Sequence, residues 1–290
     1  MSTFSERLKT AGFAVTSELN PPKGVELGPL FEEARALSGI VDAINLTDSA
    51  GSNMAMAPIA VAHLLTDMGI EPILQITGRD RNRIALGGEL LAASALGVVN
   101  VLCMTGDPPG RGDHPDAMGV FDLKAESLLD TVTAINSGVD MYGNELSGTP
   151  KIFAGAVVNP GADDPDLELS RMEDKIKRGA AFFQTQAVYD AAAFEKFMAS
   201  AREFGVPVLA GMIVLKSAGM ARFLNNQLPG INVPDSIIAE MESATDRAAT
   251  GVEVTARLIR DVRDMCDGAH IMAIGWESRI PAILESAGLA

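Results

Sequence analysis

"KIKRGAAFFQTQAVYD", residues 175–190, contains one unit of the fold from end to end. A basic amphipathic tail closes at Gly179, the residue type that supplies the left-handed cap of a helix. The apolar run "AAFFQTQ" (180–186) reads as a strand, and a second helical pattern opens at 190. Glycine punctuates the same passage in "MGIEP", "ALGVVN", "EFGVPV" and "CDGAH". Working outward, the other strand candidates are 13–19, 41–48, 72–78, 99–106, 151–158, 207–214 and 270–275. Most are unbroken apolar runs, as expected of parallel strands covered on both faces. Helical patterns fill the gaps at about 28–38, 54–68, 82–96, 123–137, 165–178, 190–204, 216–226 and 235–266, with a last one at 278–287. The stretch 235–266 exceeds an ordinary helix, and "ESATDRAATG" predicts a break inside it.

Eight strand–helix units in 290 residues predict a single (β/α)8 TIM barrel of the α/β class, spanning 1–290 as one domain. The rival, a doubly wound open sheet, usually carries a nucleotide-binding glycine fingerprint after a strand. "GDPPGRGDH" has Gly110 and Gly112 but no helix start of the right kind behind it, and no Walker-type loop is present. Two long irregular stretches remain. Residues 106–122 follow a strand and fall on the ligand face; residues 138–150 precede one and are expected on the opposite face.

A formal charge of −15 argues against a nucleic-acid partner. The two cysteines, Cys103 and Cys266, have no metal or CxxC spacing, which fits a reduced, cytoplasmic chain. The start, "MSTFSERLKTAGF", lacks a signal peptide's apolar core, and no apolar run reaches membrane-spanning length. Three scattered histidines, His63, His114 and His270, make a histidine-based metal site unexpected.

Chemistry in such barrels sits where strands end. Glu18 closes the first strand, just before Pro21 and Pro22, which forbid further pairing. Asn45, Thr47 and Asp48 close the second; Gln75 and Thr77 lie on the third, ahead of "GRDRNR". Thr105, Gly106 and Asp107 close the fourth, Asn159 the fifth, and Gln184 and Gln186 share one face of the sixth. Trp276 and Glu277 follow the last strand. Such amides and carboxylates suit a flat heterocycle rich in donors and acceptors. Plainer readings stand beside this one. Glu18 is equally a solvated loop carboxylate, and Asp107 in "TGDPPG" an ordinary turn residue. The pair Gln184 and Gln186 needs partners if it is buried. Arg79, Arg81 and Arg83 crowd a helix N-terminus that disfavours cations; a bound anion or a local acid such as Asp80 resolves the conflict equally well.

Taken in order, "SELNPPKG", "LTD", "QITGRDRNRIAL", "VLCMTGDPPGRGDHP" and "GAAFFQTQAVYD" resemble the methylenetetrahydrofolate reductase family over nearly the whole chain. The resemblance implies a (β/α)8 barrel binding a flavin, FAD or else FMN, that is reduced by NADH or NADPH. It implies a tetrahydrofolate derivative as the small-molecule substrate and a homo-oligomer as a possible assembly. By the same resemblance Glu18 is the general acid that opens the folate's five-membered ring, a role that requires a raised pKa. Asp107 holds the pterin and stabilises positive charge, and Gln186 binds the pterin. Thr47, Gln75, Thr105, Gly106, Asp107 and Lys175 fall at flavin contacts, Lys175 facing the phosphates. The chain departs from the enterobacterial branch at Gln75, where that branch has histidine, and at Thr105, where it has arginine. Two other classes use a similar mouth: a flavin-free methyltransferase barrel that binds methylated pterin, and an accessory barrel subunit.

Overall fold

Eight short runs of apolar residues pair side by side, every one parallel to its neighbours, and close into a barrel. A computed structural model describes residues 4–10 and 12–289. The strands are β1 (Ala14–Leu19), β2 (Ala43–Leu46), β3 (Pro72–Thr77), β4 (Asn100–Met104), β5 (Phe153–Val158), β6 (Phe182–Ala187), β7 (Val208–Ile213) and β8 (Gly268–Met272), and β8 closes on β1. The helices are α1 (Phe4–Lys9), α2 (Gly28–Leu37), α3 (Pro58–Asp67), α4 (Arg83–Ala95), α5 (Ala125–Asn136), α6 (Pro165–Lys177), α7 (Ala191–Ala201), α8 (Ala218–Gln227), α9 (Asp235–Ser243), α10 (Arg247–Val262) and α11 (Ile280–Ala287). The break expected inside 235–266 falls between α9 and α10, where Asp246 accepts from the N–H groups of Ala248 and Ala249 and caps the second helix. No helix among the described residues is long and apolar enough to cross a membrane.

Two differences from the sequence expectations bear on function. The last strand starts earlier than 270. Gly268 pairs with both Ala14 and Leu209, and a Cβ there would overlap the Ala14 carbonyl. His270 therefore lies inside the strand rather than at its start. The loop 138–150 does leave on the face away from the strand ends, but it climbs the outer wall. Met141 and Leu146 pack against the core, and the Tyr142 hydroxyl meets Arg83 at the start of α4.

Alternation along the strands sorts the side chains. One set, including Ile44, Leu74, Val101, Phe183 and Ala210, is fully buried in the main core cluster. The other fills the barrel interior in layers. The lowest layer is apolar: Ala14, Ala43, Ile73, Leu102, Phe182 and Leu209 cluster with Phe4 and Leu8. Phe4, from the unanticipated α1, lies edge-on to Phe182 with ring centroids 5.2 Å apart, and Phe182 stacks on Phe153 at the same separation. Gly155 makes room, since a Cβ there would overlap the Phe182 ring. Above this plug the interior turns polar, with Thr16, Asn45, Gln184 and His270 all buried.

Candidate functional site

Over the polar layer the strand ends open into a cavity of about 480 Å³, within the range of about 300–1,000 Å³ usual for small-molecule sites. Glu18, Thr47, Gln75, Thr105, Gly106, Asp107, Lys175 and Gln186 all line it. Eight residues singled out in the sequence are thus brought to one place, whereas Asn45, Gln184, Trp276 and Glu277 do not line it.

Their individual settings differ. Glu18 accepts a hydrogen bond on Oε2 from Gln75 Nε2 at 2.8 Å, and the His270 Nε2 lies 3.8 Å from the same oxygen. Thr47 donates to Asn20 Oδ1 at 2.8 Å. Thr105 accepts from the Ala125 N–H at 3.3 Å and so helps to cap α5. Gly106 has φ +90°, and a Cβ there would press to 2.9 Å on Arg79 and 3.0 Å on Thr77; only glycine sits there without strain. Asp107 is half-exposed and accepts from Arg111 at 3.2 Å. Lys175, 9% exposed, donates to the Val157 carbonyl at 2.8 Å. Burial pushes its ammonium below the usual lysine range, with Glu168 and then Glu126 opposing the shift. Gln186 lies beside an irregularity where β6 slips against β7 between Gln184 and Ala187. Such irregularities re-aim side chains near sites.

The arginine run resolves through local acids. Arg79, 3% exposed, is gripped by Asp80 and also donates to Ser49 O, Ser52 Oγ and Asp48 O. Arg81 pairs with Asp48 and Glu89, and Arg83 with Asp122 at 2.6 Å. Asn82 caps α4 by accepting from Ala85 N–H. No bound anion is needed to explain these cations.

The loop 106–122 is clasped to its neighbours across the mouth. Ser52 donates to the carbonyls of Asp107 and Pro108 at 2.9 and 3.1 Å. Asp113 accepts from the Met54 N–H at 2.9 Å and pairs with Lys23. It thereby ties together the loops that follow β1, β2 and β4. The Lys23 ammonium, the Met54 N–H and His114 hold the Asp113 carboxyl below the usual carboxylate range.

Sequence reasoning missed part of the polar layer. Asn45 and Gln184 exchange amide hydrogen bonds, Nδ2 to Oε1 at 2.7 Å and Nε2 to Oδ1 at 3.0 Å. Gln184 therefore has the buried partner it needs, while Gln186 faces the cavity. His270, read from sequence as one of three scattered histidines, joins this layer through Thr16 at 3.0 Å. The missed signal was alternation: Thr16, Asn45, Gln184 and His270 each stand at inward positions of otherwise apolar strands.

A closed parallel barrel with a polar cavity over its C-terminal strand ends is the architecture of a (β/α)8 protein with a small-molecule site. The chain belongs to the methylenetetrahydrofolate reductase family, whose model matches residues 3–288. Named relatives include "Methylenetetrahydrofolate reductase 2" of Schizosaccharomyces pombe, 24% identical over 83% of this chain and 39% of the relative. A "Probable methylenetetrahydrofolate reductase (NADPH)" of Caenorhabditis elegans is 26% identical over 94% of this chain and 42% of its own length. A "Probable methylenetetrahydrofolate reductase (NADH)" of Oryza sativa subsp. japonica is 24% identical over 94% and 48%. The chain thus spans less than half the length of these relatives. An uncharacterized protein from Clostridium thermocellum that binds two copies of 5-methyl-5,6,7,8-tetrahydrofolic acid has a similar solved structure. Its TM-score is 0.71 at 15% identity, covering 98% of this chain and 99% of that one. At that identity the likeness shows a shared fold.

Proposed function

We propose that this chain is the catalytic barrel of a flavin-dependent methylenetetrahydrofolate reductase, interconverting 5,10-methylenetetrahydrofolate and 5-methyltetrahydrofolate with NADH or NADPH as electron donor. The observation that carries the reading is the meeting of Glu18, Asp107 and Gln186, from the ends of β1, β4 and β6, on one cavity. Family membership supports the reaction class, and the folate-binding structural neighbour supports a folate ligand on this fold.

The lining fits a flavin by its chemistry. Gly106 holds the φ +90° turn that lines the cavity between Thr105 and Asp107, with Thr47, Gln75 and Thr105 as hydrogen-bonding neighbours. Lys175 offers a buried cation to phosphate, with donor capacity beyond its one bond to Val157. FAD is the proposed form, FMN the alternative. Bound there, the flavin supplies the hydride it has taken from the nicotinamide.

The protein's part is proton placement and orientation. As general acid, Glu18 gives a proton to the folate nitrogen as the bond from that nitrogen to the bridging carbon breaks. The electron pair of that bond stays on the nitrogen, and the bridging carbon becomes an electrophile that accepts hydride. Asp107, half-exposed and paired here with the exposed Arg111, balances the positive charge on the pterin. Gln186, whose amide has no hydrogen-bond partner among the described residues, is available to pair with pterin donors and acceptors.

The test is the purified protein itself. It is expected to be yellow, to bleach with NADH or NADPH without oxygen, and to recover its colour on adding methylenetetrahydrofolate. Extraction of the pigment separates FAD from FMN. A colourless protein that still binds 5-methyltetrahydrofolate overturns the reading in favour of a methyltransferase barrel.

A further inference from the structure

Beneath Glu18 lies a buried hydrogen-bond chain that none of the roles above uses. His270, 3% exposed on β8, sits in register with Thr16 on β1. Its Nδ1 is 3.0 Å from Thr16 Oγ1 and 3.4 Å from Gln184 Nε2. Its Nε2 lies 3.8 Å from Glu18 Oε2.

The direction of each bond in this chain follows from the orientation of its two amides together with proton counting. With both amides oriented as in the structure, Asn45 Nδ2 donates to Gln184 Oε1, and Gln184 Nε2 donates to Asn45 Oδ1. The second proton of Gln184 Nε2 goes to Thr16 Oγ1 at 3.2 Å. Thr16 is then an acceptor from Gln184, and its single hydroxyl proton is free for His270 Nδ1. An unprotonated Nδ1 puts the ring proton of the neutral imidazole on Nε2. The opposite tautomer would aim two donors at the Thr16 oxygen and strand its hydroxyl proton in a dry layer, which is unfavourable.

The consequence falls on one atom of Glu18. Gln75 Nε2 already donates to Oε2. His270 Nε2 lies 3.8 Å from the same oxygen and needs to close by roughly 1 Å to bond it, a tightening common when a substrate binds. Two donors on one oxygen occupy its lone pairs and favour the proton on the other oxygen. We propose that His270 is a positioning residue for Glu18: held in its Nε2–H form by the chain Asn45–Gln184–Thr16, it fixes Oε2 of Glu18 as the acceptor oxygen and leaves Oε1 to carry the proton delivered to the folate. This rests on the reductase reading, which supplies the role of Glu18. The other charged groups of the cavity are Asp48, Arg79, Asp107, Glu126, Glu168 and Lys175. Among the described residues none of these makes an ion pair or hydrogen bond with Glu18 or His270.

Two variants and two kinds of readout test it. His270→Leu removes the donor. Thr16→Val keeps the histidine but releases its Nδ1. In long-range proton–nitrogen NMR of the histidine rings, which needs no flavin turnover, the wild type is expected to show His270 protonated at Nε2 alone, and Thr16→Val a mixture. In stopped flow with the flavin-loaded protein, His270→Leu is expected to slow the folate half-reaction by roughly tenfold or more and to move its pH profile. Reduction by NADH should hold. His270→Gln, which keeps an N–H near the Nε2 position, should recover much of the loss and also guards against a folding defect. A wild-type ring protonated at Nδ1 overturns the proposal. So does an unchanged folate half-reaction in a folded, flavin-loaded His270→Leu. A wild type that lacks both half-reactions brings down the reductase reading itself, and the proposal with it.

Discussion

Phe182 and Gln186 both belong to β6, yet they meet opposite surroundings. Phe182 is fully buried against Phe4 and Phe153 at the base of the barrel. Gln186 opens onto the cavity at the mouth. Between them Gln184 is buried but paired to Asn45. One strand thus passes from an oil-like plug through a satisfied polar layer to a wet site. The difference assigns tasks by height: the base holds the barrel shut, and the mouth is free to carry groups that contribute little to stability. Substitutions at the two ends should therefore separate function from stability.

The largest separation is expected at the mouth. Glu18→Gln keeps the shape and the partner Gln75 but cannot act as the acid. The folate half-reaction should fall by about 10²–10⁴, while NADH reduction and the unfolding midpoint stay near wild type. Equal loss in both half-reactions would remove the acid role. At the base the pattern should invert. Phe182→Ala empties a fully buried ring site and is expected to cost about 3–5 kcal/mol in denaturant unfolding. Any protein that still folds should keep its folate half-reaction, read in the same stopped-flow assay. A kinetic defect larger than the stability defect would mean that base and mouth are coupled.

How much of this division was legible in the sequence depends on the layer. The barrel was legible because glycine-capped helices alternate with apolar strands, as at Gly179 ahead of β6. The mouth was legible because Glu18, Asp107 and Gln186 break apolar runs just where strands end. The plug was not. Phe4 lies far from Phe153 and Phe182 in sequence, and only closure of the barrel brings them together. His270 was hidden by a boundary: a strand starting at 270 makes it an end residue, whereas pairing of Gly268 with Ala14 moves it inside. Asp80, the acid partner of Arg79, was legible beside it, but Arg81 and Arg83 carried two readings because Asp48, Glu89 and Asp122 reach them only in the folded chain.

The middle layer sharpens the comparison, because there a single change should touch both tasks by smaller amounts. Gln184→Leu leaves Asn45 without its amide partner and should cost about 1–3 kcal/mol of stability. It should also slow the folate half-reaction, since Thr16 loses the donor that orders it toward His270. Gln186→Ala, higher on the same strand, should weaken folate binding by about tenfold or less, the loss expected of one or two hydrogen bonds. Flavin content and unfolding midpoint should not change. Titration of folate into each flavin-loaded variant, with unfolding measured in parallel, ranks the two; loss of flavin from Gln186→Ala would count against a pterin contact.

The smallest effect belongs to the clasp above the mouth, where pH gives the handle. Asp113 is held below the usual carboxylate range by Lys23, the Met54 N–H and His114. A carboxyl depressed in the folded state adds stability above its unfolded value, about 4. That contribution fades as pH falls from there toward the folded value. The clasp should therefore stay shut from neutral pH down to about 4 and loosen only in stronger acid. The Met54 amide, which donates to Asp113 at 2.9 Å, reports this directly: its NMR shift should titrate with a midpoint below that of a free aspartate. Asp113→Asn should abolish that titration and speed proteolysis within 106–122 at neutral pH, with the amides of the Phe4–Phe182 plug unmoved. A clasp that opens without moving the plug is what an independent mouth requires. If plug amides shift together with Met54, the two ends of the barrel respond as one body and the assignment of tasks by height is wrong.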